Sequence, residues 1–255
     1  MARLLLRLHN AWRRHGFIGF VRLSAYNLVY YAAARFRRRG PTRDLFDERY
    51  GTETAGIHEV GSLDISSKNA RVAVRYQPSA EKSVRALIDR LDVDLSDFTF
   101  IDFGSGKGRV LLIAAAYPFK EVIGVEFSPQ LNAIAVRNLG HLPSEALQGE
   151  RVRSICIDAT EFDLPHSNLV CYFYNPFGTP VMARVAERLT AHHEQRGFQV
   201  IVIYLDPREL DLFKRSGTFT MQIELPNAVI LATKTRNKSE QLLAMPGKAD
   251  DQVSL

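Results

Sequence analysis

From about residue 76 onward, short apolar runs alternate with stretches in which apolar residues return every three or four positions. The runs over 98–103, 121–125, 151–157, 168–174 and 198–205 are rich in Val, Ile, Phe and Tyr with few polar interruptions, which predicts strands buried on both faces. Between them, 107–117, 129–139 and 180–193 carry the helical period. Val84, Leu87, Ile88 and Leu91 give the same period to a helix beginning near Ser79. Ser128 is suited to cap the helix over 129–139, and Thr179, followed by Pro180, to cap the one over 180–193. Strands and helices in alternation predict a parallel sheet covered by helices. The last two runs, 218–225 and 228–233, are separated only by Pro226 and Asn227 and read as a hairpin. The expected fold is α/β: a doubly wound, mostly parallel seven-stranded sheet that ends in an antiparallel hairpin.

Composition changes this picture only at the ends. Residues 1–39 contain nine arginines and no acid, so although the 255-residue chain carries a net charge of +5, the remainder is net acidic. The apolar stretches of this leader are broken by arginines before reaching the roughly 18 uncharged residues of a spanning helix. Arg7, Arg13 and Arg14 also cut what would be the core of a secretory signal. We expect a basic helical appendage over 1–45. It either packs on the main domain or makes a peripheral contact between residues 1–39 and an anionic membrane or nucleic acid. The main domain is expected over 46–235, and a mobile tail over 236–255. Cys156 and Cys171 sit in apolar strand-like runs, as free thiols of a reduced cytoplasmic protein would. The seven histidines show no metal-ligand spacing, and no metal is expected.

The segment richest in chemistry runs Phe100-Ile101-Asp102-Phe103-Gly104-Ser105-Gly106-Lys107-Gly108-Arg109, from a strand into a helix. Glycines at alternate positions let the backbone approach a ligand closely and aim its N–H groups at it. A Walker A loop is excluded, because Ile101 stands at its leading glycine and Gly108 follows the lysine. The dinucleotide fingerprint is excluded in its strict form, because Arg109 stands at its third glycine. Two more strand-like runs end in acids, Val122-Ile123-Gly124-Val125-Glu126 and Ile155-Cys156-Ile157-Asp158-Ala159-Thr160. A carboxylate at position 126 is placed to accept both hydroxyls of a ribose, or simply to cap the next helix.

An acid, one residue, then Gly-x-Gly-x-Gly resembles motif I of the class I, Rossmann-like S-adenosylmethionine-dependent methyltransferases. The resemblance implies S-adenosyl-L-methionine as cofactor. Gly104, Ser105, Gly106 and Gly108 would wrap its methionine part, and Asp102 would hold its amino group. Glu126 would grip the ribose, Asp158 the adenine amine, and the Ala159 N–H a ring nitrogen. Tyr76 and Gln77 lie where this family builds a lid and are expected to close over the methionine moiety, with Glu53 or Thr54 facing the acceptor; the alternative is that these stretches are plain connecting loops.

The fourth strand ends in Tyr172-Phe173-Tyr174-Asn175-Pro176-Phe177-Gly178. Methyl transfer is an in-line displacement at a sulfonium carbon, requiring an aligned lone pair and exclusion of water. Asn175, Pro176 and Phe177 are the candidate catalytic residues. Asn175, which is also a candidate cofactor contact, would orient an amine, while Tyr174 and Phe177 would supply an aromatic wall. The alternative is that these aromatics are core and Asn175-Pro176 an ordinary turn. Phe177 and Gly178 depart from the Asn/Asp-Pro-Pro-aromatic signature of nucleobase amino-methyltransferases. The run 175–181 and the string 104–109 are instead similar to fragments of non-SET lysine methyltransferases. A protein lysine is thus the favoured acceptor, with small molecules, lipids and RNA remaining open. A non-catalytic cofactor-binding regulator or membrane-docked scaffold is the competing function.

Overall fold

The computed structural model describes residues 44–56, 76–142 and 151–234. The leader expected over 1–45 lies outside these residues except for 44 and 45, as does the tail expected over 236–255. Every element below belongs to Leu45–Leu255, the second of two units into which the chain divides.

Seven strands form one sheet in the order β3-β2-β1-β4-β5-β7-β6. They are β1 (Phe98–Phe103), β2 (Glu121–Glu126), β3 (Val152–Cys156), β4 (Asn168–Tyr174), β5 (Val200–Leu205), β6 (Phe219–Leu225) and β7 (Ala228–Thr233). The first five pair in parallel, and β7 runs antiparallel to both β5 and β6. This is the doubly wound, Rossmann-like sheet with a terminal hairpin that the apolar pattern predicts. Strand order reverses between β1 and β4, the kind of switch point at which open α/β sheets bind ligands.

Among the described residues, α-helices α1 (Leu45–Tyr50), α2 (Glu81–Ile88), α3 (Arg109–Ala114), α4 (Pro129–Leu139), α5 (Thr179–Arg196) and α6 (Leu210–Arg215) accompany the sheet, with a 3-10 turn at Leu95–Asp97. Alternate strand residues feed two apolar cores. Ile101, Phe103, Cys171 and Phe173 enter one, while Phe100, Val122, Val170 and Tyr172 enter the other. Phe103 and Phe173 stack with centroids 5.0 Å apart. Each such side chain contributes about 1.5–3 kcal/mol on burial, and four of them in β1 offset the cost of placing a carboxylate, Asp102, in the same strand.

Two helix boundaries differ from expectation. α3 begins at Arg109 rather than 107, because Gly106 and Gly108 have φ of 55° and 84° and keep Lys107 in the turn. Thr179 is the first residue of α5 and Gly178 its cap, since the Thr179 hydroxyl donates instead to Glu209 Oε1 at 2.7 Å. The cap at Ser128 forms as expected, its Oγ accepting the Leu131 N–H.

Candidate cofactor site

The turn between β1 and α3 lies at the carboxyl edge of the sheet. The Gly104 and Ser105 N–H groups bond to the Val125 carbonyl at 2.8 and 3.2 Å, which ties the turn to the neighbouring strand. Glycine is required at two points by close approach as well as by positive φ. A Cβ on Gly104 would stand 2.6 Å from Pro176 Cβ, and one on Gly106 would stand 2.2 Å from the Tyr76 ring.

Around this turn opens a cleft of about 670 Å³, open solvent included. Of the residues singled out from sequence, Tyr76, Gln77, Asp102, Gly104, Ser105, Glu126, Pro176 and Phe177 line it. Glu126 ends β2 and is buried; its Oε2 accepts the Gly106 N–H and its Oε1 the Ser128 N–H, both at 2.8 Å. Burial raises its pKa to about 7, against the opposing effect of those N–H groups. Asp102 is 4% exposed, and its pKa stands well above the usual carboxylate range, first through burial and then through the neighbouring Glu126 charge. No group among the described residues donates a hydrogen bond to it. The buried Ser105 hydroxyl likewise has no partner. A carboxylate and a hydroxyl left unpartnered beside a cleft call for a ligand that supplies donors.

Five expected contacts do not line the cleft. The Tyr76 ring covers Gly106. Gly108 caps α3. Asp158 lies past β3, and its Oδ1 accepts the Thr160 N–H and hydroxyl at 2.9 and 2.7 Å, forming a local turn. Ala159 is buried in the core that contains Phe103. Asn175 is buried with φ of 43° and turns the chain after β4, so that Pro176 meets Gly104. Phe177 belongs to the core as well as to the cleft wall.

Gln77 Nε2 donates to the Tyr174 hydroxyl at 3.1 Å, and Tyr172 donates to Ser79 Oγ at 2.9 Å, which lays residues 76–79 along β4. Sequence reasoning did not single out Arg109, Val110, Leu131, Ser79 and Tyr172 as cleft residues. Nor did it find the role of Lys107, whose buried Nζ donates to the Ala55 carbonyl at 2.9 Å and pairs with Glu53 Oε1 at 3.4 Å. Thr54 is fully buried between Asp47 and Arg109 and does not face the cleft, while Glu53, whose side chain is exposed, pairs with Lys107 and does not line the cleft. A charge next to the last glycine of the turn, in an otherwise apolar helix start, was the available signal. Among the described residues, no cluster of His, Cys, Asp and Glu could hold a metal, and no helix is long and apolar enough to cross a membrane.

The fold and the cleft define a Rossmann-like α/β protein with a cleft at its switch point. No family model and no curated protein matches the chain. Among solved structures it is similar to a ribosomal protein L11 methylase from Lactobacillus delbrueckii subsp. bulgaricus, at 14% identity and TM-score 0.44 over 66% of this chain and 83% of that one. It is also similar to magnesium protoporphyrin IX methyltransferase from Synechocystis PCC 6803 with bound SAM, at 16% identity and TM-score 0.44, covering 60% and 79% of the two chains. An RNA methyltransferase from Salinibacter ruber in complex with S-adenosyl-L-homocysteine matches at 19% identity and TM-score 0.41, over 69% of this chain and 100% of that one. These are distant likenesses, and what this chain binds is argued from its own residues.

Proposed function

We propose that the cleft binds S-adenosyl-L-methionine and that the chain is a methyltransferase. The observation that carries this reading is the pair of buried carboxylates, Asp102 and Glu126, on either side of a glycine turn in one cleft. Asp102, which lacks a donor, is matched to the ammonium of an amino acid, and the Ser105 hydroxyl to its carboxylate. Glu126 is matched to the paired hydroxyls of a ribose, and Phe127 and Leu131 give an apolar wall for a base. Held there, the cofactor would supply an activated methyl group for an acceptor lone pair, with S-adenosylhomocysteine as the leaving group.

In this reading the acceptor enters where Tyr174, Pro176 and Phe177 border the cleft. The residues there exclude water and orient the lone pair. Among acceptors we favour a protein lysine amine, which must shed a proton before or during transfer. That preference rests on the segments 104–109 and 175–181.

The test is transfer of labelled methyl from S-adenosylmethionine into protein, lipid, RNA and metabolite fractions. Label on lysine in the protein fraction is expected. Label confined to another fraction overturns the lysine preference. No label anywhere, with cofactor binding confirmed by calorimetry, favours the non-catalytic regulator. Thermal protection by NAD or NADP but not by the sulfonium compound overturns the cofactor reading.

A further inference from the structure

A second layer of buried polar contacts stands behind the glycine turn. Asp47, in the first turn of α1, gathers the segment that follows that helix: its Oδ1 accepts the Thr52 hydroxyl at 2.9 Å, the Thr54 N–H at 2.8 Å and the Thr54 hydroxyl at 2.6 Å, and its Oδ2 accepts the Ala55 N–H at 2.7 Å. These donors hold the Asp47 pKa below its ordinary value despite the opposing effect of burial. Thr54 then acts as a junction. Its hydroxyl donates to Asp47 and accepts from Arg109 Nε at 2.7 Å, while its carbonyl accepts the Tyr76 hydroxyl at 2.6 Å. Arg109 also lies 3.8 Å from Asp47 Oδ1 and over the Phe46 ring at 4.7 Å.

Both residues set by Thr54 reach the cleft. Arg109 and Tyr76 line it, and the Tyr76 ring rests directly on Gly106, whose N–H bonds to Glu126. A long-range strap is thus fastened behind the glycine turn by Arg109 at the start of α3, by Tyr76, and by Lys107 of the turn itself. This differs from a ligand contact, because Asp47 and Thr54 do not line the cleft.

We propose that residues 45–56 are a positioning strap for the cofactor pocket, in which Asp47 and Thr54 act through Tyr76 to seat Gly106 and the wall facing Asp102. Asp47 and Thr54 are positioning residues. The inference rests on the cofactor reading above, and it predicts a preference among ligands that mere structural damage would not produce. The Tyr76 ring rests on Gly106, next to Ser105, the residue matched to the carboxylate of the amino-acid half. Loosening Tyr76 should therefore cost binding of that half more than binding of the nucleoside half.

The experiment is calorimetry on the full chain and on Tyr76→Phe and Thr54→Val, with S-adenosylhomocysteine and with methylthioadenosine, which lacks the amino acid. Tyr76→Phe keeps the ring and removes the hydroxyl that tethers it to Thr54. We expect S-adenosylhomocysteine to bind about 5- to 10-fold more weakly to both variants, and methylthioadenosine to change less than about twofold. A parallel loss for both ligands, or no loss for either, overturns the strap. If Thr54→Val does not fold, Tyr76→Phe decides alone. Amide exchange over 104–108 is the second readout, expected to be faster in the unliganded variant; unchanged exchange overturns the strap. A wild-type chain that binds neither ligand overturns the cofactor reading instead, and the exchange measurement still decides the strap.

Discussion

Glu126 accepts the Gly106 N–H at 2.8 Å across the turn between β1 and α3. The residue proposed to hold the ribose therefore also braces the glycine turn, and with its other oxygen it holds the Ser128 N–H at the entry to α4. Three demands converge on one buried side chain.

Replacing it should be costly in a way that separates it from Asn175. Glu126→Ala leaves the Gly106 and Ser128 N–H groups without their acceptor and removes the ribose partner, so S-adenosylhomocysteine should bind about 100-fold more weakly, on the scale of two charge-assisted hydrogen bonds. Asn175 lies outside the cleft lining, but its left-handed turn sets Pro176 and Phe177 at the acceptor side, so Asn175→Ala disturbs that wall rather than a cofactor contact. Cofactor affinity should stay within about threefold, while transfer into the labelled fraction falls at least about tenfold. Calorimetry paired with single-turnover labelling reads both. An equal loss of affinity in the two variants would overturn the division of roles.

The two cleft carboxylates also make an argument about pH. Burial raises the Glu126 pKa to about 7, and Asp102 is displaced in the same direction. In the unfolded chain both return to ordinary carboxylate values, so between those values and about 7 the folded protein binds more protons than the unfolded one. The stabilisation from the protonated form is complete below the unfolded pKa and is lost as pH rises through about 7. For Glu126 it amounts to at most about 3 kcal/mol. Urea midpoints of the unliganded protein should therefore fall between pH 5 and pH 8, and Glu126→Gln should flatten the profile. Ligand binding has the opposite sign, since an ammonium beside Asp102 favours the ionised form. Affinity should rise with pH over the same window, with protons released on binding. Calorimetry in buffers of different ionisation enthalpy detects that release.

What could be read from the sequence was local. Strands such as β1 and β5 carry continuous apolar runs, and two residues between β6 and β7 leave room only for a hairpin, so the sheet was legible before its partners were known. The acids at 102 and 126 were legible because each ends an apolar run. The same pattern occurs at Asp158, which lies outside the cleft lining and folds onto Thr160, an arrangement its local sequence does not distinguish from that of 102 and 126. The strap was not legible at all. Asp47, Thr54 and Asn138 each have an ordinary local reading as helix or loop residues, and their meaning lies in contacts to Arg109, Tyr76 and Lys107 made only by tertiary folding. α1 and α6 are six residues each, too short to show a period.

Asn138 gives the sharpest stability prediction, because it joins three backbone groups that no helix or strand pairs. Its Nδ2 donates to the Lys107 carbonyl at 2.9 Å and the Glu53 carbonyl at 3.3 Å, and its Oδ1 accepts the Glu53 N–H at 3.0 Å. Truncation to alanine strands these groups at a position that is 2% exposed, where each unsatisfied partner costs about 1–3 kcal/mol. Partial relaxation toward water on the Glu53 side reduces the total, and we expect Asn138→Ala to cost about 3 kcal/mol, lowering the melting midpoint by about 6–12 °C. Asn132, on the same helix, bonds only the part-buried Ser154 hydroxyl, and Asn132→Ala should cost about 1 kcal/mol or less. Thermal melts of the two variants side by side separate the bridging role from helix propensity, because both substitutions place the same alanine in α4. Equal midpoints would mean that the strap and the glycine turn hold together without Asn138.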